Sequence, residues 1–100
     1  MAMLNKNRCK NFVYQFFLTE GWLPPGTTPK NWSAVTIGEL GIDDPPLPSD
    51  PHLQKRRVAL DLQNFFALLG GKLPSPLSQL KRRSLTLGGF ADWCHANQEG

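Results

Sequence analysis

The chain has 100 residues, of which 40% are hydrophobic and 19% charged, and its formal net charge is +3. This length supports one domain with a modest core, and the apolar content is too high for a disordered chain. No apolar run reaches the roughly 20 residues of a membrane span, and the polar, basic start MAMLNKNRCK does not resemble a secretory segment, so we expect a cytoplasmic protein without membrane contact.

The first predicted element is an amphipathic helix over residues 8–18. Its apolar side chains recur at helical spacing and define the face that should enter the core: Cys9, Phe12, Val13, Phe16 and Phe17. Gly21 and the run Pro24-Pro25-Gly26 end this helix. Cys94 also falls on an apolar helix face, and a reducing compartment keeps thiols free, so we predict that both cysteines are buried and unpaired.

A long connection over residues 21–50 follows. A loop of this length that is rich in apolar groups should pack on the core, and Trp22 and Trp32 are expected to cover it. One short helical turn is predicted near residues 36–42, because Thr36 can cap it and Glu39 lies three residues further on.

The strongest helix pattern covers residues 50–69. Ser49 is the predicted N-cap, and Pro51 suits the first turn. The predicted core face contains Val58, Leu62, Phe65, Phe66 and Leu69, and Gly70-Gly71 ends the helix. Lys55, Arg56 and Arg57 lie near the first turns, where cations oppose the helix dipole. They are interpreted either as a solvated helix face or as a docking patch for an anionic surface.

Two shorter helices complete the predicted fold. Ser75-Pro76 starts one that runs from about Pro76 to Arg82, with Leu77 and Leu80 pointing inward. The last helix runs from about Thr86 to Asn97, and its inward face contains Leu87, Phe90, Ala91 and Cys94. No stretch alternates at period two for long enough to predict a strand. The expected fold class is therefore all-α, a small four-helix bundle with a long first loop, and residues 1–100 form a single helical domain.

The sequence contains no pattern that predicts catalysis or metal binding. His52 and His95 are far apart, and neither lies in a cluster with metal-ligand spacing. Cys94 adjoins His95, which places the two side chains on different helix faces, and no third orienting group is evident. Glycine-rich phosphate-binding motifs are also missing. We therefore expect a protein that is not an enzyme and holds no metal.

The order of the helices and three segments resemble the acyl carrier protein family. Residues 58–74 are similar to the second helix of such carriers, with Leu73-Pro74 as the aliphatic-proline pair that follows it. Residues 85–93, LTLGGFADW, are similar to the start of their last helix, and residues 36–43 to the segment that leads into the carrier serine. The resemblance implies a four-helix bundle that docks on partner proteins.

The motif that carries the prosthetic group in this family is missing. Carriers have a serine directly after the aspartate, whereas Asp43 is followed here by Asp44-Pro45-Pro46-Leu47-Pro48. Ser49 follows this insertion, and the resemblance makes it the candidate for attachment of 4′-phosphopantetheine, although an N-cap is its simpler role. Carriers are acidic along this helix, whereas Lys55, Arg56 and Arg57 make it basic. We therefore predict a module without a phosphopantetheine arm that docks on another protein with an acidic surface; a true acyl or peptidyl carrier modified at Ser49 is one alternative.

Nucleic-acid binding is another alternative. Ala67, Gly71, Leu77 and Leu80 match the spacing of a helix-turn-helix motif. The side chains that would then face DNA are Ser75, Ser78, Gln79, Lys81 and Arg82. A sequence pI near 9.1 permits an anionic partner without requiring one.

Overall fold

The computed structural model describes residues 3–99, which confirm the all-α fold class. The four α-helices are α1 (Lys6–Thr19), α2 (Leu53–Leu68), α3 (Leu77–Leu80) and α4 (Leu87–Asn97). Two 3₁₀ helices, Trp32–Ala34 and Ile37–Leu40, lie in the long loop between α1 and α2. Within residues 3–99 the only β-type pairing is two isolated bridges, so no sheet contributes to the core.

Helix α1 forms the centre of the core and packs mainly against α4. Its N-terminus is capped by Asn5, whose Oδ1 accepts the backbone N–H of Arg8 at 2.8 Å. All five side chains that the sequence assigned to its inner face are buried, which confirms that prediction. Phe17 and Phe90 join α1 to α4 edge to face, with ring centroids 6.3 Å apart.

Helix α4 begins where the sequence predicts. Thr86 is its N-cap, and its hydroxyl oxygen accepts the N–H of Gly89 at 3.1 Å. The whole predicted inner face of this helix, including Phe90 and Cys94, is buried. Gly88 allows close packing, because a Cβ atom there would lie 3.1 Å from the Cβ of Ser33 in the first 3₁₀ helix.

The two ends of the described chain meet beside this interface. The Gln98 side chain accepts the N–H of Leu4 at 2.8 Å and donates to the Leu4 carbonyl at 2.7 Å. Cys9 and Cys94 lie next to this junction, fully buried and free, as predicted. Burial raises the pKa of both thiols, and the neighbouring Cys9 raises the pKa of Cys94 further, so both stay protonated at neutral pH.

The long loop packs on the core, as its apolar content predicts. Trp22 and Trp32 are half-buried against the core cluster. The Ile37 N–H donates to the Leu85 carbonyl at 2.8 Å, which ties the loop to the segment before α4. The predicted turn is confirmed as the second 3₁₀ helix, where the Glu39 carboxylate accepts from the Thr36 N–H at 3.2 Å and its hydroxyl at 3.0 Å.

The prediction that Ser49 caps α2 is wrong. The helix begins at Leu53, and Ser49 lies exposed in the preceding loop. Asp43 caps it instead: its carboxylate accepts the N–H of Gln54 at 2.7 Å and the N–H of Lys55 at 3.2 Å. A carboxylate has two acceptor oxygens and a charge that suits the helix dipole, so it can satisfy two free N–H groups at once.

The predicted core face of α2 is only partly correct. Val58, Leu62 and Phe66 are buried, as expected, but Phe65 is 45% exposed and Leu69 is 40% exposed. Helix α3 is also shorter than the predicted Pro76 to Arg82. It has a single turn, of which Leu80 is fully buried.

Candidate functional site

An apolar groove runs along the seam between α1 and the C-terminal half of α2. It encloses about 570 Å³, which lies within the range of ligand-binding sites. Its floor is formed by Phe12 and Phe16 of α1, and one wall by Phe65 and Leu68 of α2 together with its C-cap residue, Leu69. The other wall consists of polar side chains from α1.

The aromatic rings of the floor are fixed by contacts with the core. Phe12 meets Phe66 edge to face with ring centroids 5.2 Å apart, and Phe16 meets Phe65 in the same way at 5.7 Å. Phe16 also meets the fully buried Phe17 at 5.2 Å. Because edge-to-face pairs hold rings in defined orientations, the groove is formed before any ligand arrives.

The α2 wall presents a continuous apolar surface to solvent. Leu68 is 79% exposed, and it lies between the partly exposed Phe65 and Leu69. A contiguous exposed apolar surface of this kind marks an interaction site more often than scattered single residues do. Leu60, on the same helix but outside the groove, is 58% exposed and provides an internal comparison.

The α1 wall consists mainly of amide side chains. Asn7, Asn11 and Gln15 follow each other at intervals of four residues, so they lie on one side of the helix. All three are exposed, and their side chains make no hydrogen bond to any part of residues 3–99. Arg8 lies toward one end of this wall, and Glu20 lies at the other.

The basic cluster predicted from the sequence lies elsewhere, at the beginning of α2. Lys55 is only 8% exposed, because it falls on the same helix face as Val58 and Leu62, so the expectation of a solvated cation is wrong for this residue. Arg56 is exposed and forms an ion pair with Asp50. Arg57 is exposed.

Arg57 borders a second cavity of about 420 Å³ at this end of α2. Its lining is mixed in polarity and includes Trp22, Asp44 and Leu47. Ser49 lines neither this cavity nor the groove. The structure therefore places the predicted docking cations and the predicted modification site apart from the groove.

The side chains proposed to contact DNA surround the single turn of α3. Ser78, Lys81 and Arg82 are exposed, as that interpretation requires. Gln79 is half-buried, and its side-chain Oε1 accepts from the Arg82 guanidinium at 3.1 Å. Lys81 and Arg82 follow the end of the helix, so α3 does not place them on one helical face with Ser78.

The histidines and cysteines do not come together into a reactive site. Within residues 3–99, no three His, Cys, Asp or Glu side chains form a group that could hold a metal ion. Burial keeps the Cys94 thiol protonated by raising its pKa, whereas a nucleophilic cysteine needs a lowered pKa. His52 has a buried Nδ1 without a hydrogen-bond partner in the described residues.

Sequence reasoning missed the groove, although α2 carries a signal for it. The helix and its C-cap have more apolar side chains than one buried face can take: Leu60, Phe65, Leu68 and Leu69 all remain partly exposed. A helix that is apolar on more than one face needs a second apolar neighbour. That surplus can be counted in the sequence, but its position against α1 becomes visible only in the fold.

No protein-family model matches the chain, and no curated protein or solved structure shows significant similarity to it. In residues 3–99, no helix has the length and apolar character needed to cross a bilayer.

Proposed function

We propose that this protein is a non-enzymatic docking module, similar to a carrier protein in architecture, that binds a segment of a partner protein in the groove between α1 and α2. The observation that carries this proposal is the preformed groove with an aromatic floor and an exposed leucine wall. Protein interfaces concentrate their binding energy in such apolar centres surrounded by polar groups.

A role without a phosphopantetheine arm is favoured by the position of Ser49. Ser49 lies four residues before the first residue of α2, so it is not at the helix N-terminus, where a phosphodiester would be stabilised. The free N–H groups of Gln54 and Lys55 are already bonded to Asp43. Intact mass after treatment with a phosphopantetheinyl transferase and coenzyme A tests this point. An unchanged mass is expected, whereas a gain of one arm that Ser49→Ala abolishes would establish a true carrier.

A peptide selection tests docking and does not require the partner to be identified. Random 16-residue peptides, displayed on mRNA, are selected on immobilised wild-type protein alone, and the enriched peptides are then titrated against the wild type and Leu68→Glu. Because Leu68 is 79% exposed, the substitution should place a charge in the groove without disturbing the core. Enriched peptides should bind the wild type and lose at least tenfold in affinity for Leu68→Glu.

The matched control is Leu60→Glu, an equivalent charge on an exposed leucine of the same helix outside the groove. It should retain wild-type affinity. Peptides that bind all three proteins equally, or no enrichment at all, would overturn the groove as the docking site. Peptides that are lost on Arg57→Ala but retained on Leu68→Glu would move docking to the basic cluster.

DNA binding is less well supported. A recognition helix has to present several base-contacting side chains along the major groove, and α3 has only four residues. Docking through the α1–α2 groove instead uses apolar surface that is already exposed in the fold.

A further inference from the structure

We infer that the groove binds its partner as an extended segment with alternating apolar side chains, whose backbone edge is hydrogen-bonded by Asn7, Asn11 and Gln15, and with an acidic side chain beside Arg8. This inference rests on the proposed docking function and specifies its partner. It follows from the spacing of the amides, from their hydrogen-bonding capacity and from the charge at one end of the groove.

The spacing of the amide side chains matches the repeat of an extended chain. Residues four apart on a helix are displaced by about 6 Å along its axis, because each residue rises 1.5 Å. An extended strand presents a backbone N–H and C=O on the same edge every two residues, about 6.4–6.8 Å apart. Over the three amides the mismatch is between about 1 and 2 Å, which flexible Asn and Gln side chains can absorb.

The hydrogen-bonding capacity of the amides favours an extended partner over a helical one. Each amide side chain offers both donors and an acceptor, and an extended backbone offers the complementary pair at each alternate residue. A helical partner already satisfies its backbone groups internally, so it would leave the row of amides to meet side chains only. Asn7, Asn11 and Gln15 make no side-chain hydrogen bond within residues 3–99, so they are free to pair with an incoming backbone.

The walls and the floor of the groove would contact different parts of the bound segment. With one edge against the amides of α1, alternate side chains of an extended chain point to the same face. These side chains would contact the floor at Phe12 and Phe16 and the wall at Leu68. From Asn5 to Glu20 the groove extends for about 22 Å, which accommodates six or seven extended residues.

The charge at the Arg8 end gives the segment a preferred direction. Arg8 is exposed, and the ion pairs found within residues 3–99 are Arg56 with Asp50 and Lys72 with Glu99, so its guanidinium has no carboxylate partner there. Lys6 and Lys10 add to the positive charge of this helix end, whereas Glu20 lies at the opposite end. An Asp or Glu side chain on the partner is the complementary group beside Arg8.

The sequences enriched by the peptide selection report the binding mode directly. An extended segment should show apolar residues at alternate positions, over six or seven residues, with an acidic residue toward one end. Apolar residues at intervals of three and four would show that a helix binds. In that case the docking function stands and the extended-segment inference fails. No enrichment at all, or enriched peptides that bind the wild type and Leu68→Glu equally, would mean that the docking function itself fails.

Substitutions in the amide row then test the backbone contacts with one enriched peptide by calorimetry. Asn11→Ala and Gln15→Ala should each weaken binding by about 3- to 10-fold, the usual value of a hydrogen bond. Asn64→Ala removes an exposed amide of α2 that does not line the groove and should change nothing. Equal affinity of Asn11→Ala, Gln15→Ala and Asn64→Ala would overturn the inference.

Separate measurements test the contact between Arg8 and an acidic side chain of the partner, and the alternatives that a second copy or a lipid chain fills the groove. Arg8→Gln should weaken binding by about 2- to 5-fold at low salt and by less at high salt, whereas Lys81→Gln, an exposed cation outside the groove, should not. Sedimentation equilibrium should show a wild-type monomer. A dimer that Leu68→Glu dissociates would mean that a second copy fills the groove. Failure of every peptide combined with saturable binding of dodecanoate would assign the groove to a lipid chain. Either result would overturn the inference.

Discussion

The two sides of α1 differ in how completely they are closed. Toward α4, Cys9, Val13 and Phe17 are fully buried, and Gln98 seals the junction with two hydrogen bonds to Leu4. Toward α2, Phe66 is equally buried, but the next turn of that helix leaves its apolar side chains partly exposed. The α1–α4 interface therefore serves stability, whereas the α1–α2 seam retains apolar surface that the fold itself does not use.

The largest expected difference between the two sides concerns their phenylalanines. Phe17→Ala should lower the free energy of unfolding by about 3–5 kcal/mol, since it leaves a cavity in a fully buried site. Phe65→Ala should lower it by only about 1–1.5 kcal/mol, because the ring is half-exposed and its main aromatic contact is with Phe16. Urea denaturation measures both variants. Equal losses would show that the seam is as tightly closed as the α1–α4 interface.

Gly71 tests how rigidly α2 holds the ring beneath the groove. A Cβ atom at this position would lie 2.9 Å from Cδ1 of Phe66 and closer still to Cε1, and Phe66 is fully buried against Phe12. Gly71→Ala should therefore lower the free energy of unfolding by about 1–3 kcal/mol. In a Phe66→Leu background, where the ring is gone, the same substitution should cost less. An equal cost in both backgrounds would place the strain elsewhere.

The buried thiols make the closed interface sensitive to alkaline pH. Burial raises the pKa of Cys94 above its ordinary value of 9.0, so above that pH the thiol ionises in the unfolded chain first. The contribution of the protonated Cys94 thiol to the free energy of unfolding is complete below pH 9.0. It is lost as the pH rises above that value, at no more than about 1.4 kcal/mol per pH unit.

Cys94→Ala removes this ionisation and provides the comparison. The free energy of unfolding, measured by urea denaturation under reducing conditions, should fall less steeply for Cys94→Ala than for the wild type between pH 8 and pH 10.5. Parallel profiles for the two proteins would show that Cys94 ionises as easily in the folded state as in the unfolded one.

The sequence predicted α1 and α4 well because their determinants are local. Thr86 caps α4 from the adjacent position, and the inner faces of both helices follow from the helical period alone. The cap of α2 could not be found in this way. Ser49 has the right chemistry at the expected position, but the cap is Asp43, which lies 11 residues before Gln54 and reaches it only through the path of the loop.

The groove was harder to predict than the cap of α2, because the helical period of apolar residues does not show how many neighbouring helices cover a face. The pattern placed Phe65 and Leu69 on the same face as Phe66, and only the position of α1 separates buried from exposed members of that face. The polar wall gave no signal, since Asn7, Asn11 and Gln15 are ordinary residues for a solvated helix surface.

Substitution of Leu68 should have the smallest effect on stability. The same substitution is the most informative about the α1–α2 seam. Leu68→Glu and Leu60→Glu should each change the free energy of unfolding by no more than about 0.5 kcal/mol, since both leucines are mostly exposed. Their effects on ligand binding should differ. The fluorescent probe 8-anilinonaphthalene-1-sulfonate has apolar rings that suit the phenylalanine floor and a sulfonate that suits Arg8, so titration should detect binding to the wild type and to Leu60→Glu but not to Leu68→Glu. Equal binding to all three proteins would mean that the probe reports scattered exposed leucines, and the distinction between a closed and an open side of α1 would lose its functional meaning.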